Sequence, residues 1–182
     1  CRENETGKLG TFETRFAVPD LGAQNPYLRL SSVVWSNQRE KLESAVGGVR
    51  GHRKILAAHP LIQEGQKLIP SVTRVFRRDQ NLLAYAEAYD AGRQEGTSGP
   101  SLLASLQFFR ENVLAFQTEP VRISKLSGTR TPIELSVPLQ KLAPGRYTVQ
   151  LTVVDEIGKK FAFVRAPIVI LERRPEATPG VG

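Results

Sequence analysis

The chain has 182 residues, of which 40% are hydrophobic and 24% charged, and 25 Lys and Arg residues against 18 Asp and Glu residues give a net charge of +7. This length suits one large domain, and the composition excludes an intrinsically disordered protein. No apolar run reaches the roughly 18 residues that a membrane-spanning helix needs. We therefore expect a soluble, mildly basic module with neither a membrane span nor a signal peptide.

The chain has one cysteine, Cys1, and no methionine. A single cysteine cannot form an intrachain disulfide, so the fold must rest on its hydrophobic core. The missing methionine indicates that the numbering begins at a processed terminus or inside a longer chain. Two readings of Cys1 stay open: the lipid-modified first residue of a lipoprotein, or part of a preceding segment, the second being favoured.

Apolar and polar residues alternate near the N-terminus, which predicts two strands. The first covers residues 10–18, with Glu13 and Arg15 on its polar face. The second covers residues 27–35, where uninterrupted alternation places Leu28 and Trp35 on opposite faces.

Residues 36–72 are predicted to form a long irregular insertion, since glycines and prolines interrupt both helical and strand patterns. A short helical turn is expected within residues 39–46. Residues 59–62 and 67–70 are expected to be extended pieces that pin this loop to the core. Insertions of this length in compact domains are usually functional or mobile.

Further strands are predicted at residues 73–77, 82–89, 102–109, 113–118, 133–139, 147–153 and 161–171. The pair 102–109 and 113–118 indicates a hairpin. Pro138 lacks an N–H group, which predicts that 133–139 lies at a sheet edge. About eight short strands with frequent turns predict an all-β, antiparallel immunoglobulin-like β-sandwich over residues 1–171. Residues 172–182 are expected to be a flexible tail.

Tyr147 begins one of these strands, directly after a Pro144–Gly145 turn. In immunoglobulin-like sandwiches a tyrosine at this place donates its hydroxyl to the preceding corner of the chain. We expect this structural role for Tyr147, with Pro144 and Gly145 forming the corner. An ordinary half-buried aromatic residue is the alternative.

The residues that bind metals are few and scattered. His52 and His59 lie in the insertion without the cysteines or clustered carboxylates of a zinc site. Aspartates at strand ends usually cap turns, and a calcium site built from Asp20, Asp90 and Asp155 is the less favoured alternative. We expect no metal and no cofactor.

Catalytic patterns are equally weak. No Gly-x-Ser-x-Gly elbow is present in the sequence. Glu87, on a strand face with Tyr85 and Tyr89, comes nearest to a glycosidase carboxylate, although an outward-facing residue on a mixed face is the favoured interpretation. We expect no catalytic residue and no enzyme activity.

Two groups of side chains are candidates for ligand or surface contact. Arg50, Arg53 and Lys54 form a basic cluster in the insertion. Aromatic residues do not interleave with this cluster, which argues against nucleic acid. A solvated basic loop is the favoured interpretation, and contact with an anionic surface such as an acidic polysaccharide or lipid headgroups is the alternative. Trp35 with Tyr85 and Tyr89 would form a stacking platform for carbohydrate if all three are exposed on one face; core packing is favoured for them.

An ordered set of motifs resembles a known family. The motifs are ENETGKLGTFE at 3–13, VPDL at 18–21, LSSVV at 30–34, Pro60-Leu61, LIPSV at 68–72, VFRRDQNL at 75–82, Leu142-x-Pro-Gly-x-Tyr147 and Val153-x-Asp155. Over residues 2–171 the chain is similar to the C-terminal region of VWFA-related acidobacterial domain proteins. In these secreted bacterial proteins, a von Willebrand factor type A domain precedes β-sandwich segments.

The resemblance implies an extracytoplasmic, non-catalytic module, whether secreted, periplasmic or at the cell surface. Its partners would then include an upstream domain of the same chain. The adhesion-type metal site of the family belongs to that upstream domain, and its Asp-x-Ser-x-Ser pattern is absent here. No site residue is carried over.

These observations favour a structural or protein-interaction module of a secreted or cell-envelope protein. Edge strands, with residues 133–139 and 161–171 as candidates, would pair with a neighbouring subunit. A carbohydrate-binding module is the alternative.

Overall fold

A computed structural model of the chain describes residues 13–15, 26–41, 59–63, 65–93 and 99–172. These residues form thirteen β-strands and one short 3₁₀ helix, Leu139–Lys141, with no α-helix among them. Within these ranges no helix has the length and apolar character needed to cross a membrane. The all-β character and the β-sandwich that the sequence predicted are confirmed.

The thirteen strands are numbered in their order along the chain. They are β1 (Arg29–Leu30), β2 (Val34–Ser36), β3 (Gln38–Lys41), β4 (Ile62–Gln63), β5 (Gln66–Ile69), β6 (Val75–Arg77), β7 (Asn81–Tyr89), β8 (Leu102–Arg110), β9 (Val113–Gln117), β10 (Val121–Ile123), β11 (Arg130–Pro138), β12 (Gly145–Asp155) and β13 (Lys160–Leu171).

The smaller sheet of the sandwich is built around β7. Strand β11 pairs with it in antiparallel fashion from Arg130 to Pro138, and β1 and β2 follow one another along its opposite edge. Strand β11 therefore lies at the edge, as Pro138 predicted.

A β-bulge separates β1 from β2. Leu30 lies opposite Ala88, but Val34 lies opposite Tyr85, so residues 31–33 face only two residues of β7. One extra residue in a strand reverses the side-chain alternation that follows it.

The bulge corrects one prediction. Leu28 and Trp35 were expected on opposite faces, yet both are buried in the same core, at 5% and 3% exposure. The sequence pattern assumed an unbroken strand, which the extra residue interrupts.

The larger sheet has the order β10-β8-β12-β13-β6, with β9 beside β10 on the outer side of β8. Strands β8 and β9 form the predicted hairpin. Strand β12 pairs along its whole length with β13 and from Thr148 to Asp155 with β8. Strand β6 runs parallel to β13 and pairs only with Val169–Leu171.

One hydrophobic core lies between the two sheets and joins their alternating inward side chains. The inward residues are Leu82, Ala84, Ala86 and Ala88 of β7, Ile133, Leu135 and Val137 of β11, Leu102, Ala104, Leu106 and Phe108 of β8, Val149, Leu151 and Val153 of β12, and Ala166, Ile168 and Ile170 of β13. Each buried large side chain stabilises the fold by about 1.5–3 kcal/mol, so this alternation accounts for the sandwich.

The described part of the insertion is more ordered than predicted. Strands β3, β5 and β4 form a three-stranded sheet, in which Leu68 is buried, and the Ser36 hydroxyl of β2 donates to the Ile69 carbonyl at 2.5 Å. The extended piece at 67–70 is confirmed over residues 67–69, which belong to β5. The piece expected at 59–62 is wrong for residues 60 and 61, which form a turn closed by the Ile62 N–H donating to the His59 carbonyl at 3.0 Å. The helical turn expected over residues 39–46 is wrong for residues 39–41, where pairing with β5 fixes a strand, and residues 42–46 lie outside the described ranges.

The predicted strand at residues 10–18 is described only at Glu13, Thr14 and Arg15. These three residues are exposed and belong to no strand. The rest of this prediction falls outside the described residues.

Asp155 caps the turn between β12 and β13, as predicted for aspartates at strand ends. Its fully buried carboxylate accepts N–H groups from Gly92 at 2.6 Å, Ile157 at 3.1 Å and Gly158 at 2.8 Å. Since Gly92 lies beyond β7, this carboxylate also ties a loop of the smaller sheet to the turn.

We expect Asp155→Ala to lower the free energy of unfolding by about 3 kcal/mol, because three N–H groups would lose their acceptor at a buried site. Urea denaturation of wild-type and variant protein measures this loss. Asp79→Ala is the matched control: its carboxylate pairs with Arg77 at 3.1 Å in a more exposed position, and we expect a cost below about 1 kcal/mol. Equal costs for the two variants would contradict the capping role.

Candidate interaction surface

The aromatic platform that the carbohydrate alternative requires is not formed, and the favoured interpretation of core packing is confirmed for Trp35. Trp35 lies opposite Ala84 and faces the core, whereas Tyr85 lies on the other face of the smaller sheet. Tyr85 is itself only 5% exposed. The β1–β2 bulge sets this arrangement, and it removes the surface on which a sugar ring would stack.

Tyr85 and Tyr89 instead enclose Glu87. The Tyr85 hydroxyl donates to Glu87 Oε1 at 2.8 Å and the Tyr89 hydroxyl to Oε2 at 2.6 Å. Arg130 Nη1 lies 2.9 Å from Oε1. With both oxygens engaged and Glu87 only 6% exposed, this cluster binds strand β7 to strand β11.

Burial raises the pKa of both phenols, and their hydrogen bonds to Glu87 raise it further. Both groups therefore stay protonated and remain donors across the physiological range. The sequence indicated that Glu87 shares a face with the two tyrosines, but it did not indicate Arg130, because strand register brings that residue in from β11.

Other predicted contact residues are not all described. Arg50, Arg53 and Lys54, with His52, lie outside the described ranges, as does Asp20. Across the part of the chain that the structure describes, no group of three or more metal-binding side chains occurs. Asp90 pairs with Arg29 at 2.5 Å. The Asp155 carboxylate accepts the backbone N–H groups of its own turn.

Tyr147 makes the hydrogen bond expected of it. Its hydroxyl donates to the carbonyl oxygen of Ala143 at 2.8 Å, and its ring is 4% exposed. Gly145 has φ +149°, a backbone conformation that favours glycine. Pro144 and Gly145 therefore form the corner that this bond closes.

Strand β13 has one edge that the described residues leave partly unpaired. Pro167 has no N–H group, so its backbone nitrogen must face away from β12. The bonds from Val169 N–H to the Arg74 carbonyl at 3.0 Å and from Arg78 N–H to the Leu171 carbonyl at 3.1 Å agree with this direction. The odd-numbered residues of β13 thus direct their backbone groups away from β12.

Among the described residues, the outward backbone groups of Phe161, Phe163 and Arg165 have no partner strand, since β6 begins to pair only at Val169. Strand β1 lies close to β13, but no ladder joins the two. Unpaired groups on a regular strand are a template for a further strand.

Exposed apolar side chains accompany this edge. Phe161 is 68% and Phe163 51% exposed, and both lie on the outer face beside Val154. The Arg165 guanidinium lies 5.4 Å from the centre of the Phe163 ring, and Arg165 Nε donates to Gln150 at 2.6 Å. We call Phe161, Phe163 and Arg165, with Val154, the β13 edge patch.

The other predicted edge strand is less suited to pairing. Prolines at positions 132 and 138 of β11 stand opposite Glu87 and Asn81. Since proline cannot donate to a ladder, both backbone nitrogens belong on the free side of β11, where they remove donors. The edge patch of β13 is therefore the better candidate surface.

Comparison with known proteins adds no relative. The chain matches no protein-family model and no curated protein sequence.

We expect stability to fall as pH rises above about 10, where the unfolded tyrosine loses its proton while folded Tyr85, with its raised pKa, retains it. This difference favours the unfolded state increasingly with pH. Urea denaturation between neutral and alkaline pH measures how steeply the free energy of unfolding falls with pH. The Tyr85→Phe variant should show a smaller slope. Tyr27→Phe is the control, because Tyr27 is 73% exposed. Identical slopes in wild-type protein and Tyr85→Phe would contradict the claim that folded Tyr85 keeps its proton above the pH at which the unfolded tyrosine loses it.

Proposed function

We propose that this chain is a non-catalytic, immunoglobulin-like interaction module that assembles with a second copy of itself through the β13 edge patch. The observation that carries the proposal is that, among the described residues, the outward backbone groups of Phe161, Phe163 and Arg165 have no partner strand, while both phenylalanine side chains are exposed. A second copy is the partner of choice because the same edge, repeated by a two-fold axis, is complementary to itself.

Three features support the immunoglobulin-like assignment. The short strand β6 pairs in parallel with β13, the last strand. The chain then passes from β6 to β7 in the opposite sheet. Strand β12 lies between β8 and β13. Tyr147 closes a corner at the start of the penultimate strand, as tyrosines do in such sandwiches.

The pairing has a simple geometry. With a two-fold axis at Phe163, the Phe163 residues of the two copies lie opposite one another, and Phe161 lies opposite Arg165 of the second copy. Each of the three residues then donates its N–H and accepts at its carbonyl. No like charges oppose each other, and Pro167 ends the ladder because it has no N–H to contribute.

The non-catalytic part of the proposal is supported by Glu87, the carboxylate closest to a catalytic group in the sequence. Two phenols and a guanidinium engage its oxygens, which supports a structural role for this carboxylate. The extracytoplasmic location and an upstream domain as partner are supported by the family resemblance alone.

We expect the wild-type chain to be a dimer in size-exclusion chromatography with light scattering, with or without reductant. Phe163→Lys should raise the dissociation constant at least about tenfold, because it opposes two like charges at the axis and removes apolar contact.

Val113→Lys is the matched control. Val113 is 69% exposed on β9, at the far side of the sheet, and its replacement should leave the dimer intact. Circular dichroism verifies that both variants fold. A monomer at all concentrations, or a dimer that reductant dissolves and Cys1→Ser abolishes, would contradict pairing through β13.

A further inference from the structure

A cleft of about 820 Å³ lies at the opposite end of the same sheet face from Phe161. Phe109, Thr148 and Pro167 form its floor on three adjacent strands. Arg74 lies on one side, Arg110 on the other, and Arg146 projects from β12. A volume of this size accommodates a small ligand or a short segment of a polymer.

The three arginines are exposed, and none of them forms an ion pair within the described residues. The lining contains a single carboxylate, that of Glu111. Six other arginines of the sandwich form ion pairs, as Arg39 does with Glu134 at 2.7 Å. The cleft therefore concentrates positive charge that the fold itself does not neutralise.

The backbone holds these side chains in place. Arg74 adopts φ +54°, its N–H donates to Ser71 Oγ at 3.2 Å, and its carbonyl accepts from Val169. Of the five described non-glycine residues with positive φ, Arg74, Glu111 and Asn112 line this cleft. Such strained backbone persists where the surrounding structure fixes it and is common at binding sites.

The Arg110 guanidinium lies beside Gly145. A side chain at position 145 would begin 3.5 Å from the guanidinium carbon, in ordinary van der Waals contact with it. Glu111 and Asn112 form the tip of the β8–β9 hairpin, and positive φ at both residues is typical of a type I′ turn.

The floor offers side chains and little free backbone. Phe109, Thr148 and Val169 belong to strands that are paired on both sides, so an extended peptide would find no ladder to join. Guanidinium groups pair with carboxylates in a bidentate manner. Thr148, between Phe109 and Pro167 on the floor, presents an exposed hydroxyl to the cleft, and the hydroxyl groups of a sugar can bond to it. We propose that this cleft binds a segment of an acidic polysaccharide, its carboxylates paired with Arg74, Arg110 and Arg146.

The test is calorimetry of the full chain with a galacturonic acid oligosaccharide, and with its methyl ester as the uncharged probe. We expect binding of the acid that weakens with salt, no binding of the ester, and a loss of about tenfold or more in affinity when Arg74, Arg110 and Arg146 are all changed to Gln. Changing Arg39, Arg93 and Arg122 to Gln lowers the net charge equally and should retain most of the affinity.

Amide chemical shifts provide a second measurement, which does not depend on the variants. The acid should shift the signals of Arg146, Thr148 and Val169. Equal loss in both triple variants, equal binding of the ester, or shifts confined to other residues would overturn the proposal. Tighter binding of polyglutamate than of the saccharide would overturn it in favour of an acidic peptide. The oligomeric state is measured separately and tests the β13 pairing, so failure of one proposal can be told from failure of the other.

Discussion

The sandwich depends on strand β12, which is paired on both sides and supplies the central row of the core. Its inward residues Val149, Leu151 and Val153 are almost fully buried, and Asp155 caps its end. This strand fixes the direction and register of β13 along its whole length, whereas β6 covers only the last three residues of β13. The difference in length between β13 and β6 leaves the open edge on which the proposed assembly depends.

The two sheets use their outer faces differently. On the smaller sheet, Tyr85, Glu87 and Arg130 satisfy one another in a nearly buried cluster, which makes this face a structural element. On the larger sheet, exposed phenylalanines lie at one end and unpaired arginines at the other. Both proposed contacts lie on the larger sheet, and the Arg165 guanidinium lies between them, near the rings of Phe109 and Phe163.

The sequence predicted features that depend on local alternation. The inward face of β11, the β8–β9 hairpin and the turn at Asp155 follow from residue patterns alone. It failed where a non-local choice decides the outcome: a one-residue bulge before Val34 put Trp35 on the same face as Leu28, and pairing with β5 made residues 38–41 a strand. The partner of Glu87 and the arginine cleft come from residues distant in sequence, and no local pattern brings them together.

Amide hydrogen exchange followed by NMR at several protein concentrations tests the central claim most directly. The amides of Phe161, Phe163 and Arg165 point away from β12, whereas those of Ala162 and Val164 lie in the β12–β13 ladder and serve as an internal reference. If β13 pairs with a second copy, protection of the three outward amides should rise with concentration while the reference amides stay protected. Outward amides that exchange freely at every concentration, in a sample that is dimeric, would contradict the account.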